Sequence, residues 1–140
     1  MNILLIEDNE GDRRIIREAF TAVSGDNGQL YMAETGEAAL RFLRKEKEFE
    51  GAPCPDLILL DLNLPGLHGS EILKTLKSDP VNKIIPVIVL TSSNSQQDIC
   101  KSYGLGASCF LNKPMRYGEL LNLMKLLYDF WIKEVRYCQA

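Results

Sequence analysis

The stretch Asp56-Leu57-Ile58-Leu59-Leu60-Asp61 places four large aliphatic residues between two carboxylates, just after a chain break at Pro53 and Pro55. Four apolar residues without a polar alternate are too short for a buried helix and predict a strand covered on both faces. Such strands belong to parallel sheets sandwiched between helices. Asn2-Ile3-Leu4-Leu5-Ile6-Glu7 and Pro86-Val87-Ile88-Val89-Leu90 repeat the pattern on either side. Weaker strand signals lie at Gln29 to Ala33 and Cys109 to Leu111.

Helical spacing fills the intervals. Ile16, Ala19, Phe20 and Val23 recur at i, i+3, i+4 and i+7 within Gly11 to Ser24. Thr35 is placed to cap a helix through Ala38, Ala39, Phe42 and Leu43. Ser70 to Lys77 reads as a helix stopped by Asp79-Pro80. Ser95 with Asp98 resembles a capping pair for a helix ending near Gly104 and Gly106. Leu120, Met124, Leu127 and Trp131 lie on one stripe of a last helix, which the apolar pattern extends through Tyr128, Phe130, Trp131, Ile132, Val135 and Tyr137. Five strands alternating with five helices predict an α/β doubly wound parallel sheet with right-handed crossovers.

The 140 residues fit one domain, 1–140, with no linker or low-complexity tract to mark an output module. A net charge of -3 with scattered Lys and Arg gives no footprint for direct nucleic-acid contact. No apolar run approaches the roughly 18 residues of a membrane span, and no leader pattern precedes Ile3, so a cytoplasmic location is expected. Cys54, Cys100, Cys109 and Cys138 are too far apart for a zinc pattern and are expected as reduced thiols.

Ligands of open parallel α/β sheets bind beyond the carboxyl ends of the strands. That edge receives Glu7 and Asp8 after the first strand, Asp61 after the third, Thr91 after the fourth and Lys113 after the fifth. Three carboxylates in one crevice raise each other's pKa unless a cation joins them. Oxygen ligands without Cys or His favour Mg²⁺ over zinc. A metal-bound carboxylate can attack phosphorus, with Lys113 and Thr91 donating to the phosphoryl oxygens, so Asp61 is the candidate nucleophile.

At these residues the chain resembles the response-regulator receiver family of two-component signalling. That family's pattern is an acidic pair after strand one, a phosphoacceptor Asp after strand three, a Thr or Ser after strand four and Lys-Pro after strand five. Here these are Glu7-Asp8, Asp61, Thr91 and Lys113-Pro114, with Asp61-Leu-Asn-Leu-Pro-Gly-Leu-His-Gly69 at the centre. The resemblance implies a flavodoxin-like receiver fold with strand order 2-1-3-4-5. It implies Mg²⁺ held by Asp8, Asp61 and the backbone carbonyl of Asn63, with Glu7 assisting through water. It implies a switch in which Thr91 moves toward the phosphoryl group and Phe110, standing where Tyr is commoner, turns inward from a buried strand. A sensor histidine kinase would supply the phosphoryl group, slow self-dephosphorylation would be the only turnover, and output would pass through contact with another protein.

The loop and early strands look most like small stand-alone regulators that work with bacterial phytochromes. The long apolar C-terminal helix then suggests a homodimer surface. His68, bounded by glycine and with no second His, is expected to face solvent. Arg13, Arg14 and Arg17 lie off the apolar stripe, on a solvated face or one that meets an acidic kinase. A dehalogenase-type hydrolase would resemble a pattern with Asp where Asn63 stands. A dinucleotide site would need more glycines than Asn9-Glu10-Gly11 supplies.

Overall fold

The computed structural model describes residues 1–138. A five-stranded parallel sheet has the order β2-β1-β3-β4-β5. Its strands are β1 (Asn2–Ile6), β2 (Gln29–Ala33), β3 (Leu57–Leu60), β4 (Val87–Thr91) and β5 (Cys109–Asn112). The helices are α1 (Glu10–Ser24), α2 (Gly36–Arg44), α3 (Gly69–Ser78), α4 (Gln96–Gly104) and α5 (Tyr117–Leu127). Fold class, strand order and helix number are those expected from the alternation and the family resemblance.

The aliphatic runs divide their side chains between two cores, as the two-residue period of a strand requires. Leu4, Ile6, Ile58, Leu60, Val87 and Val89 face one side, where Ala39 and Phe42 of α2 and Ile72, Leu73 and Leu76 of α3 cover them. Ile3, Leu5, Leu57, Leu59, Ile88 and Leu90 face the other, against Ile16, Ala19 and Phe20 of α1 and Leu120 and Met124 of α5. Truncating one of these fully buried side chains to Ala costs about 2–5 kcal/mol.

Helix starts are fixed locally. The Asn9 side chain accepts the Asp12 N–H at 2.8 Å, Thr35 accepts from Ala38 at 3.0 Å, and Ser95 accepts from Asp98 at 3.2 Å. Short 3₁₀ turns at Lys47–Phe49 and Asn82–Ile84, without a sequence signal strong enough to foresee, lead into β3 and β4.

Two expectations are corrected. The last helix does not continue to Tyr137: α5 ends at Leu127, and Tyr128–Ile132 form a single wide π turn. The chain then folds back, the Tyr137 hydroxyl donates to the Trp131 carbonyl, and Trp131, Ile132 and Tyr137 pack against the α1/α5 core. Most of the apparent surplus apolar face is therefore consumed inside the chain. Strand β5 is also not buried: as an edge strand it is half-covered, and Asn112 is exposed.

Gly69 sets how closely α3 approaches the end of β3. A Cβ added there would lie 2.5 Å from Leu62 Cα and still nearer the Asp61 carbonyl oxygen, both backbone atoms that cannot swing aside. Alanine intrinsically favours a helix by up to about 1 kcal/mol over glycine. We expect Gly69→Ala nonetheless to lose about 1–3 kcal/mol in urea unfolding. Equal or greater stability in the variant would disprove the close approach.

Candidate phosphoryl-transfer site

The strand ends converge as the topology dictates. The Glu7 N–H donates to the Ala33 carbonyl and the Asp61 N–H to the Ile6 carbonyl, each at 3.0 Å, so both carboxylates are carried on extensions of the central ladders. Glu7 is 1% exposed and Asp61 3%. The Lys113 N–H donates to the Thr91 carbonyl at 2.9 Å, which brings the fourth and fifth strand ends to the same crevice.

The β1–α1 loop that presents Asp8 is tied down by Arg13. Its Nη1 donates to the carbonyls of Glu7 at 3.0 Å and Asp8 at 2.7 Å, and Nη2 meets Glu34 at 3.4 Å. Arg13 is thus part of the scaffold of the site and not a free surface cation, while Arg14 and Arg17 are exposed as expected.

Lys113 lies at the centre of the crevice. Its ammonium is 2.9 Å from Asp61 Oδ2, 2.9 Å from Asp12 Oδ2 and in contact with Glu7 Oε1. The sequence reading missed Asp12, because an acid in the first turn of a helix already has an ordinary explanation in the helix dipole. The available signal was its place one helical turn after Asp8. Asp61 Oδ1 accepts the Asn63 N–H at 3.1 Å. The Asn63 side chain is exposed and takes no part at the carboxylates. Thr91 is fully buried at the end of β4.

Burial, followed by the neighbouring Asp61 charge, overrides the contact with Lys113 and pushes Glu7 up from 4.5 to about 7. For Asp61, burial works the same way, but Lys113, the Asn63 N–H and the Thr91 hydroxyl outweigh it and hold the carboxyl below its ordinary value. For Lys113, burial disfavours the ammonium, yet its contacts with the Glu7, Asp12 and Asp61 carboxylates dominate and keep it charged.

Among the described residues, Glu7, Asp8 and Asp61 bring one carboxylate oxygen each within 4.8 Å of one another. Glu7 Oε1 is buried without a hydrogen bond, its approach to Lys113 being an ion contact only. An all-oxygen set with an unsatisfied buried oxygen fits a hard divalent cation.

One peripheral expectation comes out differently. His68 is half-buried at the start of α3, where Nδ1 accepts the Ser70 N–H at 3.1 Å and lies 2.9 Å from the Ser70 hydroxyl. It is a helix cap, not a solvent-facing loop residue. Phe110 is half-buried against the α2/α3 core, and its N–H donates to the Tyr103 hydroxyl at 3.1 Å. The four cysteines are free thiols, as expected.

A doubly wound sheet that gathers a buried Asp, an acidic pair, a Thr and a Lys at its carboxyl edge defines a phospho-accepting switch domain. Residues 3–125 match the response regulator receiver domain, and the chain belongs to that family. It is 39% identical over 133 residues to response regulator Rcp1 of Synechocystis, covering 95% of this chain and 90% of that protein. The crystal structure of the Mn²⁺-bound form of Rcp1 superposes with a TM-score of 0.90 at 38% identity, covering 99% of both chains. The phosphorylated cyanobacterial phytochrome response regulator RcpA gives 0.92 at 39% identity, covering 99% of this chain and 98% of that one. None of the helices described is long and apolar enough to cross a membrane.

The raised Glu7 carboxyl has a definite sign for stability. Between about 4.5 and 7 the folded chain holds a proton that the unfolded chain has lost, so this group's contribution falls as pH rises through that window. In metal-free protein, Glu7→Gln is expected to gain on the order of 2 kcal/mol over the native chain at pH 8. The gain should shrink toward pH 5, measured by urea unfolding with a chelator present. A pH-independent difference would contradict the assignment.

Proposed function

We propose that this chain is a single-domain response regulator, residues 1–140 forming one receiver domain, that accepts a phosphoryl group on Asp61 from a sensor histidine kinase. The observation that carries the reading is the Asp61 carboxylate itself: buried, held ionised, and in direct contact with a charged lysine at 2.9 Å. An Asp61 oxygen forms the bond to phosphorus while the P–N bond of the phosphohistidine breaks, its electron pair leaving on the imidazole nitrogen. Lys113 and Thr91 donate to the phosphoryl oxygens, where the transition state spreads its charge. Asp8, Asp61 and the Asn63 carbonyl would hold Mg²⁺, with Glu7 acting through water. That ion would supply charge neutralisation between the carboxylates and the transferred group. Attack of water on the aspartyl phosphate returns Asp61 and releases inorganic phosphate, the only turnover.

Thr91 and Phe110 are the proposed moving parts, with output through protein contact at α4, β5 and α5. Phe110 is tied by its backbone to α4 through Tyr103, which couples these elements. Likeness to regulators of the RcpA kind supports a phytochrome-type kinase as donor, and the absence of a spanning helix among the described residues is compatible with a cytoplasmic site of action. For self-association, Leu126 at 67% exposure and Phe130 at 57% supply the apolar surface that remains near the C terminus. Sedimentation of the native chain against Phe130→Glu should then show loss of a concentration-dependent dimer in the variant. A native chain that stays monomeric removes the dimer.

Incubation with acetyl phosphate should give one phosphoryl adduct by intact mass, dependent on Mg²⁺ and absent in Asp61→Asn. An adduct that survives in the variant would move the phosphoacceptor elsewhere. No adduct from either acetyl phosphate or sensor kinases would leave the fold as a binding module.

A further inference from the structure

We infer that Asp12 is a displaceable counter-ion that occupies Lys113 in the resting protein and is exchanged for a phosphoryl oxygen when Asp61 is phosphorylated. The inference rests on Asp61 being the phosphoacceptor and concerns how that site is held ready.

A lysine ammonium carries three donors and no more. Here the three neighbours are Asp61 Oδ2 at 2.9 Å, Asp12 Oδ2 at 2.9 Å and Glu7 Oε1. Asp61 and Asp12 take the ammonium's two hydrogen bonds and Glu7 Oε1 crowds it as an ion contact, so an incoming phosphoryl oxygen reaches the ammonium only where one of the three gives way. Glu7 and Asp61 have side chains 1% and 4% exposed, so until the bond to phosphorus forms, losing the lysine would leave a carboxylate out of reach of solvent. The Asp12 side chain is 36% exposed. Water can replace Lys113 on that carboxylate at lower cost than on the two buried ones, because Asp12 is the partner that solvent reaches. Asp12 is therefore the partner that yields.

Its placement fits a counter-ion of fixed reach. The Asp12 N–H is bonded at 2.8 Å to the capping Asn9 side chain, so the carboxylate projects from an anchored first turn toward the crevice. Asp12 belongs to no group of carboxylates close enough to share a cation with Glu7, Asp8 and Asp61, which separates it from the proposed metal ligands. A fourth negative charge at the rim also opposes the approach of an anionic phosphoryl donor. Both effects act in one direction: Asp12 lowers affinity for the donor. It is a positioning residue that acts through Lys113.

Phosphorylation by acetyl phosphate at saturating Mg²⁺ tests this in the native chain, Asp12→Asn, Asp12→Glu and Asp61→Asn. Asp12→Asn is expected to raise kcat/KM at least fivefold, through a lower KM with kcat within about twofold of native. The gap should narrow as NaCl screens the rim charge. Asp12→Glu, which restores the charge, should return KM toward native. A helix-capping or purely structural role cannot produce faster phosphorylation. In metal-free protein, NMR of the Lys113 ammonium should show faster hydrogen exchange in Asp12→Asn than in the native chain. Native phosphorylation with KM unchanged or raised in Asp12→Asn, or unchanged Lys113 exchange, overturns the inference about Asp12 and leaves Asp61 untouched. A native chain that takes no phosphoryl group, with Asp61→Asn equally silent, overturns the Asp61 reading and this inference together.

Discussion

Lys113 and the carboxylates around it are the constraint on which the rest of this molecule depends. Bringing Glu7 and Asp61 together below the surface is unfavourable on two counts, through lost hydration and mutual repulsion. One ammonium in contact with both, and with Asp12, offsets much of that cost but not all of it. The remainder is visible in Glu7, whose carboxyl rises to about 7, and in its Oε1, which lacks a hydrogen bond. The crevice is thus held together and left short of positive charge at once. A site in that condition is ready for a cation, and its lysine is already charged and aimed.

Such a cluster can be sustained only by a rigid support. Strands β1 and β3 are the centre of the sheet, buried on both faces, and they set Glu7 and Asp61 side by side through continuous ladder bonds. Arg13 fastens the loop after β1, and the missing side chain of Gly69 lets the start of α3 press on the backbone after β3. Neither feature touches the reacting oxygens. Both determine whether those oxygens can be held within hydrogen-bond tolerance of each other.

The central strands and their polar ends were legible in sequence because complete burial forces uninterrupted aliphatic runs, and the first polar residue after each run marks the sheet edge. Thr35 and Ser95 were legible as caps for equally local reasons. What was hidden depended on tertiary contact. The apolar pattern runs on past Ile132 with no Gly or Pro to stop it, and the chain turns there because Trp131, Ile132 and Tyr137 find the α1/α5 core. Strand β5 looked buried because Cys109, Phe110 and Leu111 are apolar, yet a strand at the sheet's edge has a neighbouring strand on one side only. Arg13 and Asp12 each had a sufficient surface explanation, and only the folding of the β1–α1 loop toward Lys113 gives them another.

The same geometry divides the molecule into a stiff half and a loose half. Helix α3 buries Gly69, Ser70, Ile72, Leu73 and Leu76, whereas α4 buries only Ser102. Little apolar contact is lost when α4 shifts, and elements with few buried contacts are those that open at low free energy. Thr91 stands at the junction, fully buried at its own position but followed by a loop that β5 holds through Asn112, whose amide donates to the Ser93 carbonyl at 2.6 Å. Force applied at the crevice by a new anionic group would meet a fixed wall on the β1 and β3 side and a less buried one toward α4 and β5. On the proposed function, a structural response would therefore be directed toward α4 and β5, before any particular partner is considered.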